Sequence, residues 1–226
     1  LSIMKRLAIA FVGITCVVIG FSLIMVSVTT TNMTSNDSNH SSSINYSVNP
    51  GQSLVLDSNE ALQQKPEAYL PWDGTLVVTL IDCDVYENMQ EAGIDSSSPF
   101  YRDDGPAPNS KWKYVQCSLE IENVDAVPEG DDGLFGIDSF GLFVEGGSNG
   151  FWDPSQPRPI EYFDGYVENA AEKDHYRFEL PVGEERLLTI GFWVEECDCS
   201  KPMYVCAGLW DGAMKYRFYL PIQKEE

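Results

Sequence analysis

The chain has 226 residues, with 35 acidic side chains against 14 basic ones and a formal net charge of −21. Such a surface repels nucleic-acid phosphates and anionic lipid or wall polymers, which excludes nucleic-acid binding, and it suits cations or a basic protein patch. About 150 residues follow Trp72 in a patterned region, enough for one domain that buries roughly 68–70% of its unfolded surface.

Residues 7–28 carry no charge, and Lys5 and Arg6 stand directly before them. As a helix this stretch is roughly 33 Å long, enough to cross a hydrocarbon core of about 30 Å. The positive charges keep residues 1–6 in the cytoplasm and send the rest outward. The expectation is therefore a single-pass membrane protein with its domain on the extracellular side; a cleaved signal peptide is the alternative. Residues 29–48 are nearly all Ser, Thr and Asn and read as a disordered stalk. Asn32, Asn36, Asn39 and Asn45 each begin an N-x-[ST] pattern, which such a tract produces readily by chance. Residues 49–72 read as a linker of marginal structure, with one short strand at Ser53-Leu54-Val55-Leu56.

The domain spans 73–223. Residues 74–86 alternate as a strand, with Val77, Thr79, Ile81, Cys83 and Val85 on one face and Val78, Leu80, Asp82 and Asp84 on the other. Residues 87–110 hold three Pro, a Ser triplet and Asp103-Asp104-Gly105, and read as a long connection of functional or mobile kind. Residues 111–123 form a second strand, with Val115, Cys117, Leu119 and Ile121 pointing one way and Tyr114, Gln116, Ser118, Glu120 and Glu122 the other. Further strands are expected at 135–145, 174–180, 186–194, 202–210 and 215–222, the last two joined by Asp211-Gly212, a hairpin signal. About seven strands and no long amphipathic helix give an all-β fold, an antiparallel β-sandwich.

Several segments occur in an order that resembles a known family. Leu119-Glu120-Ile121-Glu122-Asn123 is similar to a strand of apolar-x-apolar-x-Asn form. Ile137-Asp138-Ser139-Phe140-Gly141-Leu142, then Leu180-Pro181-Val182-Gly183-Glu184 and Gly191-Phe192-Trp193-Val194 follow it. In this order, behind an anchor and a stalk, they resemble the telokin-like, immunoglobulin-like extracellular domains of Gram-positive bacterial membrane proteins and lipoproteins of unknown function. The resemblance implies a fold and a location and carries over no catalytic residue. The chain departs from it in the insertion at 87–110, in Val182 between Pro181 and Gly183, and in its five domain cysteines.

Those cysteines are Cys83, Cys117, Cys197, Cys199 and Cys206. An exported domain favours disulfides, and Cys206 with either Cys197 or Cys199 is the expected bridge. Asp82 with Asp84, and Asp131 with Asp132, are the candidates for calcium, although no EF-hand loop is present and solvated turns account for the clusters. No cofactor is expected. Phe151, Trp152, Tyr162, Phe163 and Tyr166 offer a contact surface in an aromatic, Pro-rich excursion, or else cover an open end of the sandwich. No nucleophile elbow, P-loop, zincin or dinucleotide motif occurs, and His175 is the one histidine after the stalk. The expectation is a non-enzymatic interaction domain that meets another surface protein or a basic partner. The alternatives are an extracellular polymer hydrolase using a carboxylate pair, and a structural spacer of an envelope complex.

Overall fold

The computed structural model describes residues 46–59, 70–107, 110–166, 176–208 and 216–220. The expected anchor, most of the stalk, His175 and the Asp211-Gly212 turn lie outside them. No helix among the described residues is long and apolar enough to cross a membrane.

Among the described residues thirteen strands follow one another: β1 (Tyr46–Val48), β2 (Ser53–Asp57), β3 (Trp72–Asp73), β4 (Thr75–Tyr86), β5 (Trp112–Asn123), β6 (Val127–Pro128), β7 (Phe135–Gly136), β8 (Phe140–Val144), β9 (Tyr162–Phe163), β10 (Arg177–Phe178), β11 (Glu185–Glu195), β12 (Met203–Ala207) and β13 (Tyr216–Leu220). Two larger sheets result, in the orders β2-β4-β5-β11-β9 and β1-β13-β12-β8. Pairing is antiparallel except that β1 runs parallel to β13. The protein is all-β, as the alternation predicts. Within the stretch read as a linker, the short strand expected at Ser53-Leu54-Val55-Leu56 is β2, an edge strand of the sheet, with Leu54 and Leu56 buried.

The centre of the five-stranded sheet is the β4–β5–β11 set. Val115, Cys117, Leu119 and Ile121 of β5 are all buried in the main core, beside Leu188, Ile190, Phe192 and Val194 of β11. The same core takes Phe140, Leu142 and Val144 from β8, Met203, Val205 and Ala207 from β12, and Phe218 and Leu220 from β13. One continuous apolar interior thus joins both larger sheets.

Strict alternation fails in β4. Leu76, Val78 and Leu80 face the core, but the register shifts between Leu80 and Asp82. Leu80 pairs with Leu119, whereas Cys83 pairs with Cys117 and Val85 with Val115. The irregularity inserts one residue at Ile81, which is 46% exposed, and it returns Cys83 to the face of Leu80. The grouping of Cys83 with Val77 and Thr79 is corrected accordingly.

Asn123 ends β5 and is 1% exposed. Its Nδ2 donates to Ala126 O at 3.0 Å and to Leu180 O at 2.7 Å, and its Oδ1 accepts from Ala126 N at 2.7 Å. Its main chain donates to Glu184 O at 2.9 Å and accepts from Gly183 N at 2.7 Å. The turn it meets, Pro181-Val182-Gly183-Glu184, closes through Glu184 N to Pro181 O at 3.1 Å, with Gly183 at φ 81°. A positive φ at the third position of the turn is the reason for glycine there. Asn123→Ala removes three side-chain hydrogen bonds in a buried place and strands polar groups of Ala126 and Leu180. A loss of about 2–4 kcal/mol is expected, read from urea unfolding as a lowered midpoint with unchanged slope.

Candidate functional site

The outward face of the same central strands carries a second core. Residues of opposite parity to the main core, Tyr114 of β5 and Trp193 of β11, are buried there with Trp112, Met89 and Ile94. The Tyr114 and Trp193 rings meet edge to face at 5.4 Å. Gly191 is what lets Tyr114 lie flat on the sheet, since a Cβ at that position would come within 1.9 Å of the Tyr114 hydroxyl. Met89 is fully buried, so the described residues of 87–110 form a packed cover rather than a free loop. Its first turn is locally capped: Asn88 Oδ1 accepts from Glu91 N at 2.9 Å, and Ile94 N donates to Met89 O at 2.9 Å.

Where this cover meets the sheet, a cleft of about 440 Å³ is lined by Glu87, Asn88, Asp103, Asp104, Ser110, Trp112 and Trp193. Trp112 is fixed by donating from Nε1 to Ala107 O at 2.8 Å. Trp193 Nε1 is buried and has no hydrogen-bond partner. Lys113 pairs with Glu87 and stands 3.8 Å from Glu196. Asp103 accepts a hydrogen bond from Tyr101, which with burial raises that phenol above its ordinary value. Arg102 turns away to Glu161, at 3.6 Å. Asp103 and Asp104 thus leave the cleft acidic above two indole rings.

A second polar cluster lies at the junction of the loop after β8 with the β11–β12 connection. Asp198 is fully buried, and Arg158 and Glu195 nearly so. Arg158 Nη2 donates to Asp198 Oδ2 at 2.6 Å, and Lys201 Nζ donates to Asp198 Oδ1 at 2.6 Å. Ser148 donates from N to Asp198 Oδ1 at 3.0 Å and from Oγ to Glu195 Oε2 at 2.7 Å, and Phe151 N donates to Glu195 Oε1 at 3.1 Å. Burial works to raise the Asp198 carboxyl, but the hydrogen bonds from Lys201, Ser148 and Arg158 outweigh it and hold the group below the usual carboxylate range. Both carboxylates are thus engaged by donors of the protein itself.

The structure redistributes the residues singled out in the sequence. Asp198 organises the Cys197–Cys199 turn. Cys197 is exposed, Cys199 donates to Glu195 O at 3.6 Å, and the buried Cys206 thiol donates to Gly141 O at 3.3 Å. Cys206 thus lies within β12, whereas Cys197 and Cys199 lie in the turn that precedes it. The fourth position of β12 carries Cys206 roughly 10 Å along the strand from its start, away from the turn. Burial pushes the Cys199 thiol up to about 11.

The aromatic group does not make a surface. Phe163 is fully buried in the main core, and Tyr162 and Tyr166 are part-buried around Phe100, with ring centroids at 5.9 and 5.7 Å. Trp152 packs on the second core, and Phe151 alone of the five is exposed. The four aspartates offered for calcium do not assemble. Asp82 accepts from Cys83 N, Asp84 from Tyr86, and Asp132 from Leu134 N, all local bonds. Among the described residues no group of three or more His, Cys, Asp or Glu could hold a metal ion. Arg158 and the Trp112–Trp193 floor have no mark in the sequence, where a single Arg in a Pro-rich loop carries no signal of burial, and Asp198 reads there as an acid of a solvated turn.

Residues 75–221 match a family described as Domain of unknown function (DUF5027), and the chain belongs to that family. The match begins at the first residue of β4, so β1, β2 and β3 lie before it. No curated protein and no solved structure matches the chain significantly.

Asp198 makes the pH dependence of stability calculable in sign. Its folded pKa is depressed below an unfolded value of about 3.9, so its contribution is fully present above about pH 5 and is lost as pH falls through the folded value. Asp198→Asn is expected to lower the melting temperature at pH 7 and to flatten the decline between about pH 5 and pH 2. Thermal melts across that range check it, and an acid limb as steep as the wild type's would show that the decline arises elsewhere.

Proposed function

We propose that the chain is a membrane-anchored, non-catalytic interaction protein of the cell surface, and that its immunoglobulin-like domain receives a basic segment of a partner protein in the acidic cleft. The observation that carries this reading is the pairing of Glu87, Asp103 and Asp104 with the indoles of Trp112 and Trp193 in one cleft. A Lys or Arg side chain over an indole gains a cation–π term, and neighbouring carboxylates add charge complementarity. The surface as a whole is acidic, which speeds the approach of a basic partner.

The remaining parts of the reading rest on the sequence. The uncharged run at 7–28 behind Lys5 and Arg6 supports an anchor with the domain outside. The order of the Asn123, Pro181–Glu184 and Gly191 segments supports a telokin-like relationship. The closed state of the Glu195–Asp198 pair speaks against a hydrolase built on it.

The test is a titration of the full chain in detergent with a Lys/Arg-rich peptide, followed by tryptophan fluorescence. Binding is expected to perturb the emission, to weaken as salt rises from about 50 to 200 mM, and to fall about tenfold in the Asp103→Asn/Asp104→Asn double variant. An uncharged peptide of the same length serves as control. Equal affinity for both peptides, or for both proteins, would remove the cleft from the account.

A further inference from the structure

Cys83 and Cys117 face each other in register across β4 and β5, and the Cys117 thiol donates to Cys83 Sγ at 3.2 Å. Directly opposed residues of an antiparallel pair have Cα atoms about 4.5 or 5.5 Å apart, within the span of about 4.4–6.8 Å that a disulfide accepts. Counted by alternation from Leu80, Cys83 falls on the opposite face; the register shift before Asp82 is what brings it to Cys117. No other pair of the five domain thiols is opposed across a strand pair. Cys206 is opposite Gly141 and Arg217, and the Cys197 sulfur has Ser148 Oγ beside it at 3.7 Å.

We propose that Cys83 and Cys117 are a redox site, converted to a cross-strand disulfide by a low-molecular-weight disulfide oxidant. Cys83 is part-exposed and Cys117 fully buried, so the oxidant meets Cys83 first. The Cys83 thiolate attacks one sulfur of the oxidant, the S–S bond of the oxidant breaks, and one thiolate leaves. The resulting mixed disulfide on Cys83 is then attacked by Cys117, which gives up its proton; the Cys83–Cys117 bond forms and the second thiolate leaves. Two protein thiols lose two protons and two electrons, and the oxidant is reduced to two thiols. Burial holds the Cys117 thiol well above its ordinary value, so the part-exposed Cys83 is the thiol that meets the outside oxidant.

The two thiols are 34 positions apart, and the segment between them contains the whole of 87–110. Closing a loop of that length restricts the unfolded chain, while the native register needs little adjustment.

The experiment treats the full chain in detergent with oxidised glutathione, alkylates it in denaturant, and maps the peptides without reductant. Expected is a linked pair holding Cys83 and Cys117, lighter by two hydrogens than its parts. The melting midpoint is expected to rise by roughly 5–10 °C and to return with dithiothreitol. Cys83→Ser and Cys117→Ser abolish both effects, and Cys197→Ser leaves them in place. The wild-type comparison stands without the variants if one of them fails to fold. Recovery of Cys83 and Cys117 as alkylated thiols or as glutathione adducts only, a link of either to another cysteine, or a linked pair with a lowered midpoint would each overturn the proposal.

Discussion

The end of β5 is where three separate stretches of chain are held to one side chain. Asn123 uses both its amide hydrogens and its amide oxygen, and adds its own N–H and C=O, to fix the 124–126 turn and the 180–184 turn together. β11 begins at Glu185, one residue after that turn. The eleven paired positions of β11 on β5, from Glu185 opposite Glu122 to Glu195 opposite Trp112, therefore start from a place Asn123 defines. A slip by one residue would turn Leu188, Ile190, Phe192 and Val194 out of the core. Every donor and acceptor of the amide is answered, so a buried polar group here specifies register without leaving a desolvated atom.

With that register set, both faces of the β5–β11 pair are apolar at one end. On one face lies the main core. On the other, Tyr114, Trp193 and Trp112 need a cover, and 87–110 supplies it with Met89 and Ile94. The cover explains why so long a connection is packed. It also explains the cleft, which opens where acidic residues of the cover reach the edge of the indoles they shield. The tyrosines of 162–166 serve the same cover from another side, as a socket for Phe100.

Much of this was legible because period-two alternation is a local property. β5 has no irregularity, and its inward and outward residues are those the sequence indicates. β4 was misread beyond Leu80, because one inserted residue inverts every side chain after it and nothing in the run from Leu80 to Asp84 marks the place. Cys206 is near Cys197 and Cys199 in sequence, while β12 is drawn straight by its pairing with β8 and β13. In sequence Asp198 is one more acid in a turn. Its burial depends on Arg158, 40 positions away, and on Lys201, and such a meeting has no periodic signature. Phe151 and Phe163 are both aromatic residues of one loop region; only the pairing of Phe163 with Ile190 separates the core residue from the exposed one.

The same insertion that defeats alternation links the redox pair to the cleft. Six of the seven residues lining the cleft lie between Cys83 and Cys117 in sequence, and the seventh, Trp193, stands on β11 opposite Tyr114. β4 leads through Val85 and Tyr86 into Glu87, and the chain returns through Ser110 and Trp112 into β5. A covalent bond at the sulfurs would therefore clamp the neck of the cover, while its tip, at 88–104, is held by Met89, Ile94, Phe100 and the Arg102–Glu161 pair. Because the native sulfurs already touch, the bond adds little to the folded arrangement; its weight falls on the open states in which the cover lifts from the indoles. The cover's hold on the second core thus rests on two supports of different kind, apolar burial at its middle and strand pairing at its base, and only the second can be made covalent.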